Sequence, residues 1–290
     1  IEASQYQSLV GLMADSFAKY ANRTAYSFMG QDISYAQTDV KSQALAAYFQ
    51  SLGLEKGDRV AIMMPNVPQY PVAVAAILRA GLVVVNVNPL YTPRELEYQL
   101  KDSGAKAIVI IENFAVTLQK CLAETQINHV VLCAMGDMLS MPKGAVVNFV
   151  VRNVKSLVPD FELPGAIKFN QALSLGERAT FVKPVVTSDD IAVLQYTGGT
   201  TGRSRGAMLT HANLVANIRQ INAWFAAERI DGAEIMITPL PLYHVYALMC
   251  NCLCYMDTGG HNLLITDPRN LKRLIAELRS WKFTAITGVN

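Results

Sequence analysis

The sequence predicts an α/β fold of parallel β-sheets covered by helices. Three observations carry that prediction. Short runs of aliphatic and β-branched residues recur from residue 59 onward. Most are apolar throughout rather than alternating, as strands buried on both faces must be. Longer amphipathic stretches separate them, the spacing of strand, crossover helix and parallel strand.

In order, "RVAIMMP" from Arg59 reads as a strand and Gln69 to Ala80 as a helix. "LVVVNVN" is a second strand. "TPRELEYQLKDSG" predicts a helix with Thr92 as N-cap, Pro93 at the first helical position, Glu95 early and Gly104 as the stop. "AKAIVII" is a strand, followed by a helix near Phe114 to Glu124 and the strand "HVVLC". Residues 138–181 are less regular, with Pro142, Pro159 and Pro164, and read as an excursion and then a connector. A second series opens at "DIAVLQY". It continues through a helix from Thr210, the strand "AEIMIT", a helix over the cysteine cluster, "HNLLIT", a helix from Pro268 to Ser280, and "FTAIT". The two series predict two packed sublobes, residues 1–185 and 186–290. The chain ends at Asn290 directly after a strand pattern, which reads as truncation.

The 290 residues are 51% hydrophobic and 17% charged, where about 25% charged is usual. Such a chain has a large core, or is part of a larger protein whose interface is bare. A net charge of +2 without a concentrated basic face argues against a nucleic-acid partner. Cys250, Cys252 and Cys254 lack partners at zinc spacing and read as free thiols in a reducing cytoplasm. The first residues lack the basic start and apolar core of a signal peptide. Two uncharged stretches, Val60 to Leu78 and Ile235 to Met256, are broken by prolines and fall short of the ~20 apolar residues of a membrane span.

Against this apolar background "QYTGGTTGRSRGAMLTH", Gln195 to His211, is unusual. A buried strand leads into it and a helix capped by Thr210 leads out, which predicts strand, Gly-rich loop, helix. In open α/β sheets ligands bind beyond the carboxyl ends of the strands. Glycines let backbone N–H groups approach a ligand, hydroxyls donate to oxygens, and Arg203 and Arg205 offer charge-assisted bonds. The chemistry matches a polyphosphate. The stretch is neither a P-loop of the Walker type, having no Lys, nor G-x-G-x-x-G. The alternative is a surface loop without a ligand.

"ITPLPLYHVYAL" places Tyr243 and His244 just after the next strand, on the loop's side of a parallel sheet. They are candidates to line an acyl or carboxylate pocket, against the plainer reading of a core or surface histidine. "MPKGAVVNFVVRNVKSLVP", Met141 to Pro159, carries only basic charges: Lys143, Arg152 and Lys155. It is either an amphipathic helix for an anionic membrane surface or a helix packed on the lobe with its charges in water.

"YTGGTTGRSRGAMLTHANL" closely resembles the phosphate-binding signature of the adenylate-forming superfamily: acyl-CoA synthetases, luciferases and peptide-synthetase adenylation domains. "GDRVAIMMPNVPQYPVAVAAILRAGLVVVNVNPLYTPRELEYQLKDSGAKAIV" is similar to that family's N-terminal lobe. "PLPLYHVYAL", "GHNLLITDPRN" and the 141–159 excursion look most like bacterial long-chain fatty acid–CoA ligases. The resemblance covers nearly the whole chain. Arg205 stands where close relatives most often have Lys. The later motifs do not occur: the aromatic-Gly-x-Thr-Glu segment, the ribose-binding Asp, the hinge, and the C-terminal domain with its catalytic Lys. The resemblance therefore implies two packed sublobes of the N-terminal domain, without the C-terminal domain.

It further implies ATP-dependent activation of a long-chain fatty acid to acyl-adenylate and then acyl-CoA, with ATP, Mg2+ and CoA required and the piece inactive alone. Tyr196, Thr197, Gly198, Gly199, Thr200, Thr201, Gly202, Arg203, Ser204, Arg205, Gly206 and Ala207 are the expected phosphate-binding residues. Thr201, Arg205 and His244 are the expected catalytic residues. Tyr243, His244, Val245 and Leu248 are the expected substrate-binding residues, the last two for the acyl channel. No protein-held metal site is expected. Candidate partners are the fatty acid, ATP and CoA, with membrane contact through 141–159 and a homodimer beyond them. The expected location is the cytoplasm, peripherally at the inner face of the cytoplasmic membrane. Two alternatives stand: a ligase for another carboxylic acid, and a non-catalytic nucleotide- or membrane-binding piece.

Overall fold

The computed structural model describes residues 6–198 and 204–289. Before the first expected strand, α1 (Leu9–Lys19) leads to a hairpin of β1 (Thr24–Phe28) and β2 (Gln31–Ser34), then to α2 (Tyr35–Ser51). The expected series follows: β3 (Arg59–Met63), α3 (Gln69–Arg79), β4 (Val83–Asn86), α4 (Pro93–Ser103) and β5 (Ala107–Ile111). The predicted helix near 114–124 is broken. A short α5 (Ala115–Gln119) is flanked by single 3₁₀ turns. Next come β6 (His129–Cys133) and α6 (Lys143–Phe149), which widens into a π turn through Val154. The connector holds β7 (Ile167–Lys168) and α7 (Phe169–Arg178).

The second series is β8 (Ile191–Thr197), β9 (Arg205–Thr210), α8 (His211–Trp224) and β10 (Ile235–Thr238). Helix α9 (Val245–Ala247) runs through a π stretch into α10 (Cys254–Thr258). The chain closes with β11 (His261–Leu264), α11 (Leu271–Ser280) and β12 (Ala285–Ile286).

The helix ends follow from their sequences. In α4 the Thr92 side chain accepts from Glu95 N–H while Glu95 accepts from Thr92 N–H, and Gly104 ends the helix in the left-handed region at φ 60°. Ser34 with Gln37, and Thr210 with Asn213, build the same reciprocal cap on α2 and α8.

Two sheets form. One has seven strands in the order β7-β6-β5-β3-β4-β8-β9, all parallel except β9. The other has five in the order β12-β10-β11-β1-β2, parallel except β2. The strands do not divide at residue 185. Strand β8 lies beside β4, Val84 facing Val193, and so joins the sheet built by the first half of the chain. Strand β1 lies beside β11 and joins the second sheet. Each carries buried apolar residues and takes a neighbour strand from the other half of the chain.

The central core packs α1, α2, α3, α8 and the α9–α10 run between the sheets. Alternate residues of the same strands, such as Ala61 and Met63 of β3, face outward against Leu96 and Leu100 of α4 and Leu118 of α5. On the far side, Leu274 and Leu278 of α11 cover Ile237 and Leu263 of the five-stranded sheet. All five cysteines are free, and all but Cys250 are buried.

Candidate active site

The stretch expected to bind phosphate flanks its loop with a hairpin, rather than running from strand through loop into helix. Residues Arg205–Thr210 pair antiparallel with β8, Thr197 facing Arg205 and Tyr196 facing Gly206. This ladder satisfies the backbone of a segment that would otherwise run exposed along the sheet edge. The helix starts only at His211. Of the expected phosphate-binding residues, Tyr196 and Thr197 lie in β8, and Arg205, Gly206 and Ala207 in β9, with Gly198 and Ser204 at the loop ends. Gly199, Thr200, Thr201, Gly202 and Arg203 lie outside the described residues.

Thr197 and Arg205 are exposed, side by side where the hairpin meets the loop. The Ser204 hydroxyl donates to the Thr197 carbonyl at 2.8 Å, closing the loop's base. The Tyr196 ring covers Gly206, where a Cβ would stand 3.0 Å from the ring carbons. Its hydroxyl donates to Asp102 Oδ2 at 2.6 Å. Burial first, and the Asp102 carboxylate second, push that hydroxyl well above the usual tyrosine range, so it stays a donor.

Strand β8 runs parallel to β4, so Thr197 ends at the carboxyl edge that β3, β4, β5 and β6 share. A trough of about 580 Å³ opens along this edge. Pro89, Asn113 and Met135 bound it from the seven-stranded sheet, and Pro241, Tyr243 and Thr266 from the five-stranded one. The trough therefore lies between the sheets, not within one sublobe. Tyr243 and His244 follow β10 of the five-stranded sheet, and they reach the hairpin across the molecule rather than along one sheet.

Buried polar side chains make that crossing. Asn66 donates from Nδ2 to the carbonyls of Thr238 and Leu240, both at 2.9 Å, and accepts from Leu242 N–H at 2.8 Å. The Tyr70 hydroxyl lies between Asn86 Oδ1 at 2.7 Å and the Leu242 carbonyl at 2.8 Å. Asn86 Nδ2 donates to Gln195 Oε1 at 3.1 Å, and Gln195 Nε2 donates to the Tyr243 carbonyl at 3.2 Å. Together these bonds hold the Pro239–His244 segment against the end of β8. Sequence reasoning passed over all four side chains. The signal was there in Asn86 within "LVVVNVN" and Gln195 within "IAVLQY". A lone amide in an otherwise apolar buried strand needs a partner or costs its desolvation.

Tyr243 is half-buried, with its hydroxyl pushed up by burial against an opposing pull from Arg269. His244 is exposed and caps α9, its Nδ1 accepting from Tyr246 N–H at 3.4 Å. That contact turns Nδ1 toward the backbone and leaves Nε2 as the ring nitrogen for an anionic oxygen. Val245 is half-buried, whereas Leu248 is wholly enclosed in the central core. Among the described residues no group of three His, Cys, Asp or Glu side chains is placed to hold a metal ion.

The 141–159 excursion is only partly a solvated basic face. Arg152 forms a two-pronged pair with the buried Glu112, at 2.8 to 3.1 Å. Lys143 donates to the Met29 carbonyl. Met141, Val146, Phe149, Val154 and Leu157 remain exposed, each by more than half. No helix among the described residues is long and apolar enough to cross a membrane.

Comparison with known proteins agrees with this architecture. The chain is 55% identical over 291 residues to a long-chain-fatty-acid–CoA ligase of Escherichia coli O6:H1, covering 100% of this chain and 52% of that protein. It is 35% identical to a long-chain-fatty-acid–CoA ligase of Bacillus subtilis, covering 93% of this chain and 48% of that protein. The chain thus spans about half the length of these relatives. A crystal structure of a long-chain-fatty-acid–CoA ligase from Archaeoglobus fulgidus shares the fold with a TM-score of 0.78 at 20% identity, covering 98% of this chain and 51% of that one. The model of the AMP-binding enzyme family matches residues 13–290, nearly the whole length, and the chain belongs to that family.

Proposed function

We propose that the protein carrying this chain activates a long-chain fatty acid with ATP and passes the acyl group to CoA. In the first step a carboxylate oxygen attacks the α-phosphorus of ATP, and the bond to the β-phosphate breaks, giving acyl-adenylate and pyrophosphate. In the second the CoA thiolate attacks the acyl carbon, and AMP leaves.

One observation carries the reading. Strand β8, which leads into the hairpin base with exposed Thr197 and Arg205, is tied to the Tyr243–His244 segment of the other sheet by Gln195. Tyr243 also lines the trough, so the candidate carboxylate-binding segment joins the trough to the strand that ends in Thr197. The Thr197, Thr200 and Thr201 hydroxyls donate to phosphate oxygens, and Arg205 neutralises the charge that develops on pyrophosphate. Arg in place of Lys keeps the charge and binds as a fork. His244 Nε2 and the Tyr243 hydroxyl border the carboxylate. Magnesium enters with ATP as Mg·ATP and screens its phosphates. The long-chain acid is favoured over other acids because both relatives named above are long-chain-fatty-acid–CoA ligases.

The test is pyrophosphate–ATP exchange in the protein at the relatives' full length. Exchange with palmitate and not acetate supports the reading, while acetate alone would assign another acid. Binding of Mg·ATP without exchange would leave only a nucleotide-binding role.

The exposed apolar row of the excursion adds a second element. We infer that residues 141–159 rest on an anionic membrane surface, with Lys155 toward the headgroups. Leu157 also lines the trough, so this contact adjoins the place where an acyl chain would arrive.

A further inference from the structure

The base of the phosphate hairpin is gripped from outside its own sheet. We propose that Tyr98 and Asp102, one turn apart on α4, are positioning residues for that hairpin in the adenylation step. The inference rests on the functional reading above.

Among the described residues strand β9 is the edge of the seven-stranded sheet, with only β8 as a partner. A hairpin at an edge, leading to a Gly-rich loop, has little to fix its direction. Helix α4 provides it. The Tyr98 hydroxyl donates to the Ser204 carbonyl at 3.0 Å, holding the returning limb. Asp102 accepts from the Tyr196 hydroxyl at 2.6 Å, holding the outgoing limb. Between them Gln99 donates from Nε2 to the Asn86 carbonyl at 2.7 Å, pinning the helix to β4.

The helix is a firm base for this grip. Leu96 and Leu100 are fully buried beneath it, and both its ends are capped. Residues at i and i+4 share one face of a helix, so one face carries both bonds. The Tyr196 ring packs over Gly206, where no side chain stands in its way, and its hydroxyl reaches Asp102 on the helix. Neither Tyr98 nor Asp102 needs to touch a substrate. Their bonds set where Thr197 and Arg205 stand, on either side of the loop.

The two half-reactions separate this role from general support of the fold. Adenylation needs the β- and γ-phosphates held. Thioester formation from an acyl-adenylate does not, because pyrophosphate has already left. In the protein at the relatives' full length, Tyr98→Phe and Asp102→Ala are expected to lower kcat/KM for ATP in palmitate-dependent pyrophosphate exchange about tenfold, the scale of one lost hydrogen bond. Conversion of supplied palmitoyl-adenylate and CoA to thioester should stay within about twofold of the parent. Asp102→Asn, which keeps an acceptor for the Tyr196 hydroxyl, should recover most of the exchange. Tyr196→Phe added to Asp102→Ala should cost little more than either alone. Equal losses in both half-reactions, or no loss in either, overturn the assignment. A parent protein without exchange overturns the functional reading instead, and this inference falls with it.

Discussion

Gln195 shows how one side chain links packing to site geometry. Its amide is buried, and it holds the Asn86 side chain on one side and the Tyr243 backbone on the other. Gln195→Leu keeps the volume and leaves both partners without their bond. A buried polar group so orphaned costs about 1–3 kcal/mol. We expect a stability loss of that order in urea unfolding, together with weaker pyrophosphate exchange. An unchanged unfolding midpoint would show that water replaces the amide freely. His211 makes a second case. Its Nδ1 accepts from Leu9 N–H at 3.2 Å inside the core, tying α8 to α1, and burial pushes its pKa down from 6.5 to about 4, with Asp190 pulling up and Lys56 down. The depressed value fixes the sign. Above pH 6.5 the ring is neutral folded or unfolded, and the full stability is present. As pH falls from 6.5 toward 4 only the unfolded chain takes the proton, so stability declines by up to about 3 kcal/mol, at 1.36 kcal/mol per pKa unit. Below that window the loss is complete. His211→Gln should flatten this part of the pH dependence of urea unfolding. Parallel curves for parent and variant would remove His211 as the cause.

Among the elements, α7 depends most plainly on a missing side chain. At Gly176 it crosses α2 so closely that a Cβ would lie 1.8 Å from the Ala44 carbonyl oxygen. The obstacle is backbone, so the helices must separate to admit a methyl group. Gly176→Ala should therefore cost about 1–3 kcal/mol, although Ala is the better helix former. A rise in Tm would mean the crossing is looser than the structure describes. Nothing in "FNQALSLGER" announces that contact, because sequence reports local preference and not what crosses a helix from 130 residues away. The same limit runs through the rest. Helix α4 was legible to the residue, since Thr92, Pro93, Glu95 and Gly104 act within one helix. The apolar strands β3, β4, β5 and β6 were legible because burial on both faces leaves a continuous run. Strand β9 was not, since "RGAMLT" looks like the tail of a loop until β8 offers it a ladder. Nor was the sharing of strands between the sheets, which depends on the pairing of β1 with β11 and β8 with β4. Within the site, the resemblance picked out the hairpin and Tyr243–His244, whose chemistry is local. The grip of α4 and the amide bridge between sheets escaped because each joins residues far apart in the chain.

At the scale of the whole molecule, the trough between the sheets and the apolar row of the excursion share Leu157. A long-chain fatty acid is held mainly by membranes, and an enzyme that takes it from there gains by resting beside its supply. The basic charges contribute less than their number suggests. Arg152 is occupied by Glu112 and Lys143 by the Met29 carbonyl, so replacing either disturbs packing as well as charge. A clean test therefore removes the apolar contacts. Val146 and Phe149 are both more than half exposed, and their substitution leaves no cavity. Val146→Asp with Phe149→Asp should abolish flotation with vesicles rich in anionic lipid while leaving Tm and pyrophosphate exchange with soluble acid unchanged. Each apolar side chain withdrawn from a membrane loses about 1.5–3 kcal/mol, so two suffice to lower partitioning at least tenfold. The parent should also float less at high salt, where lysine charges are screened within about one Debye length. Equal flotation of parent and double variant would dismiss the excursion as a membrane contact and return it to a helix packed on the lobe.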